Sequence, residues 1–123
     1  MRALIVVHEP LICRLLRRSL SQWGWSVDES DSVFTAFEIF RQGHYDLALC
    51  DVDLPDGDGV SLARAMSEAK PSLRVIMVSG KPENLDRARA AGFERCLGKP
   101  FDLNELKILI DESGLGEHRP PHC

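Results

Sequence analysis

The sequence predicts a doubly wound α/β fold, with five parallel strands in one sheet, arranged (βα)5, and helices on both faces. Three observations predict it. Short apolar runs alternate five times with stretches whose apolar residues recur every three or four positions. The connections between them are brief. The first run, Ala-Leu-Ile-Val-Val at 3–7, is apolar at every position, as in a strand covered on both sides. Strict alternation of this kind implies parallel strands joined by crossover helices.

The elements follow in order. After the first run, Glu9-Pro10 opens a helix, because Pro suits a first helical position and Glu suits the positive end of the helix dipole. Leu11, Ile12, Leu15, Leu16, Leu20 and Trp23 form its apolar stripe, and Gly24 closes it. A weak strand is expected over 25–29. A helix over 33–41 follows, with Phe34, Phe37, Ile39 and Phe40 as its stripe and Gly43 as its C-cap. The third strand spans 47–50 and the third helix 60–69. A fourth strand, rich in β-branched residues, covers 73–78. Pro82 starts a helix that stops at Gly92, and 95–97 make a short fifth strand. Asp102-Leu103-Asn104-Glu105 reads as a capping box ahead of Leu106, Leu109 and Ile110. Residues 1–113 make one domain, and 114–123, ending Arg-Pro-Pro-His-Cys, read as a flexible tail or the start of a linker.

Composition narrows the function. The chain has 123 residues, 44% hydrophobic and 28% charged, with a net charge of −4. An acidic balance argues against a nucleic-acid surface. Arg14, Arg17 and Arg18 fall at helical spacing and read as a solvated helix face. No run is long enough to cross a membrane, and His8-Glu9-Pro10 ends the opening apolar run too early for a signal peptide. Cys13, Cys50, Cys96 and Cys123 include no C-x-x-C pair, which points to buried thiols in a reducing cytoplasm.

The most informative stretch runs from Asp46 to Gly59, D-L-A-L-C-D-V-D-L-P-D-G-D-G. An apolar strand ends at Asp51 in a loop punctuated by Pro and Gly. Asp51 therefore sits at the carboxyl end of a strand, the edge where ligands bind in an open α/β sheet. A carboxylate there can act as a nucleophile, hold a metal, or do both. The loop fails as an EF-hand, since Pro55 stands at the fifth position where an oxygen ligand belongs.

In these motifs the chain resembles the receiver domain of two-component response regulators, from about residue 2 to residue 112. Asp51 matches the phospho-acceptor of that family. Ser79, after Val-Ile-Met-Val, matches its switch Ser or Thr. Lys99-Pro100-Phe101, after the fifth strand, matches its Lys and cis Pro. The resemblance implies a flavodoxin-like receiver fold in a phosphorelay, with Asp51 as nucleophile, Lys99 and Ser79 contacting the phosphoryl group, and Asp53 lending a carbonyl to Mg²⁺. It also implies a protein that is not an enzyme. Its expected partners are a sensor histidine kinase or phosphotransfer protein and a downstream protein target, with no nucleic acid or membrane bound by this domain.

Two positions depart from the family pattern. Receivers end their first strand in an acid pair, and aligning Glu9-Pro10 with the family's Glu-Pro puts Val7 and His8 there. Only Glu9, Asp51 and Asp53 remain as metal-binding candidates, so the sequence predicts an atypical, pseudo-receiver-like site with weak or dispensable Mg²⁺. The same alignment brings His8 near Asp51, where a pH-sensitive His–Asp pair is one expectation and a residue filling a decayed pocket the blander one. Three residues before Lys99, where the family has an aromatic switch, stands Cys96.

An alternative from another class is a small haloacid-dehalogenase-like phosphatase. Asp51-Val52-Asp53 would be its D-x-D, but those enzymes carry that motif on the first strand. A flavin site is excluded because His8-Glu9-Pro10-Leu11 lacks the hydroxyl and Gly residues that cradle phosphate.

Overall fold

The computed structural model describes residues 1–112. The expected tail from 114 and Cys123 lie outside the described residues. In chain order the elements are β1 (Arg2–Val6), α1 (Pro10–Gln22), β2 (Ser26–Ser30), α2 (Val33–Gln42), β3 (Leu47–Asp51), β4 (Asp53–Leu54), β5 (Gly57–Asp58), α3 (Gly59–Ala69), β6 (Arg74–Ser79), α4 (Pro82–Ala90), β7 (Cys96–Gly98) and α5 (Leu103–Glu112).

Five strands form one parallel sheet in the order β2-β1-β3-β6-β7. The chain leaves β1 toward one edge through β2, then returns to β3 and builds toward the other. β1 and β3 therefore flank the switch point, where a crevice opens at the carboxyl ends of the strands. Successive residues on a strand face opposite sides, so the sheet carries two cores. Ala3, Ile5, Leu49, Ile76 and Val78 pack against Leu16 and Leu20 of α1 and Leu106 and Ile110 of α5. Leu4, Val6, Ala48, Cys50 and Met77 pack against Ala36 and Phe40 of α2, Met66 of α3 and Ala88 of α4.

The punctuation read from the sequence has physical counterparts. Pro10 and Pro82 open α1 and α4. Gly24 and Gly92, with φ of 92° and 100°, carry the chain out of α1 and α4 through left-handed backbone that favours glycine. The capping box at α5 is reciprocal: Asp102 Oδ1 accepts from the Glu105 amide at 2.8 Å, and Glu105 Oε1 from the Asp102 amide at 3.4 Å.

Several expectations need correction. On α1, Leu11 is 75% exposed and Leu15 44%, while Cys13 and Ser19 are buried in their place. On α2, Phe34 is 72% exposed, and Ala36 and Phe40 carry the buried face. In both helices the apolar stripe is wider than the sheet can cover, and the strand beneath selects part of it. Gly43 does cap α2 but in extended rather than left-handed backbone. The acidic loop, expected only as a turn, closes on itself as the antiparallel β4–β5 pair. Of the described cysteines, Cys13 and Cys50 are buried and Cys96 is half-buried.

Candidate functional site

Strand register brings the predicted residues together. Asp51 is the last residue of β3 and pairs with Val78, Ser79 ends β6 opposite Gly98, and Lys99 follows directly on β7. The Lys99 amide donates to the Ser79 carbonyl at 2.9 Å, extending the ladder past the strand end. The Lys99–Pro100 peptide is cis. All three side chains line one cleft of about 660 Å³, together with His8, Glu9 and Lys81.

Asp51 forms the floor of that cleft and is only 3% exposed. Its Oδ1 lies 2.8 Å from Lys99 Nζ, and its Oδ2 accepts from the His8 backbone N–H at 3.0 Å. Lys99 Nζ also reaches Glu9 Oε1 at 2.7 Å, so one ammonium sits between two carboxylates. Burial pushes the Asp51 carboxyl above its usual range, outweighing the opposing pull of Lys99 and the His8 amide. Burial also acts to lower the Lys99 pKa, but its bonds to Asp51 and Glu9 prevail and hold it above its ordinary value. The Lys99 hydrogen bond holds Glu9 below the usual carboxylate range.

Ser79, 7% exposed, accepts at Oγ from the Lys81 backbone N–H at 3.1 Å and from Asn84 Nδ2 at 3.2 Å. The same Asn84 amide donates to Asp53 Oδ2 at 2.8 Å, and Lys81 Nζ stands 3.8 Å from that oxygen. Asn84 and Lys81 were not legible as site residues. Both lie at the start of α4, and no local pattern says that this helix turn faces Asp53 across the cleft.

The acidic loop divides its labour. Asp56 accepts from the Val33 and Phe34 amides at 2.7 and 3.1 Å, tying the loop to the N-terminus of α2. These bonds hold its carboxyl below the usual range. Asp58 caps α3 through the Ser61 amide at 3.0 Å and pairs with Arg87 at 2.9 Å. Gly59 lets α3 begin directly against β3, its amide donating to the Val52 carbonyl at 2.6 Å.

The positions aligned with the family's acid pair supply no carboxylate. Val7 is buried in the core shared with α1 and α5, and His8 is exposed and gives Asp51 only its backbone amide. Of the two readings of His8, the contact present is that of its backbone amide with Asp51 Oδ2. Glu9 stands at the N-cap of α1 but makes no side-chain cap bond, its carboxylate being committed to Lys99, and Asp53 is committed to Asn84. Among the described residues, no three His, Cys, Asp or Glu side chains gather as a metal-binding group. As arranged, the carboxylates expected as Mg²⁺ candidates are each engaged by another side chain, Glu9 and Asp51 by Lys99 and Asp53 by Asn84. At the aromatic-switch position, the Cys96 thiol is half-buried and donates to the Phe93 carbonyl at 3.3 Å.

Comparison with known proteins agrees with this geometry. The family model for the response regulator receiver domain matches residues 3–111. Sensor protein EvgS of Escherichia coli K12 is 30% identical over 120 residues, covering 96% of this chain and 10% of that protein. The regulatory protein TorR of the same organism is 32% identical over 124 residues, covering 96% of this chain and 54% of that protein. The chain thus spans well under two thirds of the length of these relatives. Among solved structures, TrrA of Thermotoga maritima, determined with Mg²⁺ and beryllofluoride, matches with a TM-score of 0.82 at 26% identity, covering 91% of this chain and 97% of that one. A CheY-like receiver from Methanospirillum hungatei matches at 0.79 and 27%, with 91% and 94% covered. These matches give the dehalogenase-like phosphatase no support. With Asp51, Ser79 and Lys99 at one edge of a five-stranded parallel sheet, the chain belongs to the receiver-domain family of two-component response regulators.

Proposed function

We propose that Asp51 accepts a phosphoryl group in a cytoplasmic phosphorelay and that this domain signals by protein contacts rather than as an enzyme. A carboxylate oxygen of Asp51 would attack phosphorus on the phosphohistidine of a sensor kinase or phosphotransfer protein. The N–P bond breaks, the imidazole nitrogen leaves with the bonding pair, and an acyl phosphate forms. The charge on the three equatorial oxygens must be met by positive or donor groups. The observation that carries this reading is Lys99 Nζ, 2.8 Å from the buried Asp51 carboxylate in the cleft that also holds Ser79. In this reading the site is atypical: phosphorylation depends little on Mg²⁺, because Val7 and His8 supply no carboxylate and Lys99 holds both Glu9 and Asp51. Without an aromatic ring at Cys96, the downstream target would read a change in Ser79 and the β7–α5 surface by another route.

The test is an amide NMR titration with Mg²⁺, then with beryllofluoride, an acyl-phosphate mimic, repeated in EDTA and in Asp51→Asn. Shifts at Asp51, Ser79 and Lys99 that persist in EDTA and vanish in Asp51→Asn are expected. No response under either condition would make the domain a pseudo-receiver that binds partners unphosphorylated. A response strictly requiring Mg²⁺ would overturn its weak metal dependence.

A further inference from the structure

Ser79 has one O–H to give and two lone pairs to fill. Both lone pairs are engaged, one by the Lys81 backbone N–H at 3.1 Å and one by Asn84 Nδ2 at 3.2 Å. With both accepting sites taken, the only hydrogen bond the hydroxyl can still make is as a donor. Asn84 is held in the required orientation by Asp53, whose carboxylate can only accept and so must face the amide nitrogen, at 2.8 Å. The two protons of one Asn84 amide group thus serve two neighbours, Asp53 on the loop and Ser79 on β6.

Taking Asp51 as the phosphoryl acceptor, we propose that Asn84 is a positioning residue: by filling a lone pair of Ser79, it fixes that hydroxyl as a hydrogen-bond donor to a phosphoryl oxygen on Asp51. Without Asn84 the hydroxyl regains an accepting lone pair and can turn its hydrogen elsewhere, including toward Asp53. The loop carboxylate and the switch hydroxyl are then no longer held by one group. A carboxylate at position 84 reverses the polarity, because it takes the Ser79 proton and withdraws it from the cleft.

The test is beryllofluoride affinity, by amide NMR, for the wild type, Asn84→Ala, Asn84→Asp, Ser79→Ala and the Ser79→Ala/Asn84→Ala double variant. Asn84→Ala is expected to weaken binding about fivefold, the cost of one neutral hydrogen bond. Asn84→Asp should weaken it more, by about tenfold or beyond, since the hydroxyl is drawn away and a charge is added. In the Ser79→Ala background the Asn84→Ala loss should shrink below about twofold, because the group it acts through is gone. A merely structural role would leave the loss the same in both backgrounds, and that result overturns the inference. So does an Asn84→Ala affinity equal to wild type. If the wild type itself fails to respond, the Asp51 reading falls and this inference with it, whereas a responding wild type with uncoupled variants removes Asn84 alone. Should Asn84→Ala lose its dispersed amide spectrum, Asn84→Leu, which removes the amide donors without adding a charge, gives the same comparison in the two backgrounds.

Discussion

Burial governs the chemistry of Asp51. Its carboxylate ends a strand that is covered on both faces, and removing it from water penalises the charged form more than Lys99 and the His8 amide favour it. The consequence for stability has a definite sign. A carboxyl whose folded pKa is raised costs the native state nothing below the unfolded value of about 3.9; the cost grows as pH rises from there to the folded pKa and stays constant above it. Asp51→Asn removes that cost while Glu9 still holds Lys99 at 2.7 Å. Thermal unfolding should therefore show Asp51→Asn with the higher Tm at pH 7, the gap closing toward pH 3. A gap that widens on acidification would contradict this account.

At the scale of elements, the junction of β3 and α3 shows how closely backbone is used to present the site. The Gly59 amide bonds the Val52 carbonyl, and a Cβ at Gly59 would run into the Asp51 carbonyl oxygen and stand 2.9 Å from that of Val52. Neither obstacle is a flexible side-chain end, so the chain must shift. Gly59→Ala should cost ~1–3 kcal/mol in urea unfolding, as overpacking does, and should move the amide resonances of Asp51 and Val52. The helix starts follow a simpler rule. Asp58 and the Asp102–Glu105 box bond the first-turn amides of their own helices, whereas α2 takes Ser32 locally and Asp56 from 23 residues away. The local caps can be read from spacing; the distant one depends on how the β4–β5 loop folds over α2.

On the scale of the molecule, one sheet divides two cores that share no side chains. Leu16 lies fully buried between α1 and the sheet, and Met66 between α3 and the opposite face. Leu16→Ala and Met66→Ala should each cost ~2–5 kcal/mol. Because the backbone of the same strands supports both cores, each variant should still unfold in a single urea transition. Their costs should add to within ~0.5 kcal/mol, since the two sites share no partners. Two separate transitions would mean that the two faces unfold independently.

The sequence by itself determined the α/β alternation, the parallel sheet and the three positions Asp51, Ser79 and Lys99 at strand ends. The alternation and the sheet follow from periodicity and from Pro and Gly punctuation, which act over a few residues, whereas Ser79 and Lys99 were picked out by the resemblance to receiver domains. Exposure of Leu11, Leu15 and Phe34 was not legible, because an apolar stripe says which residues could be buried and not how much of it the sheet covers. Nor was the partner of Glu9, 90 residues away at Lys99, or the Asn84 bridge between Asp53 and Ser79. Only the tertiary structure decided these contacts. They join the ends of different strands and helices, and the distance between such ends is set by the crossovers and the sheet order.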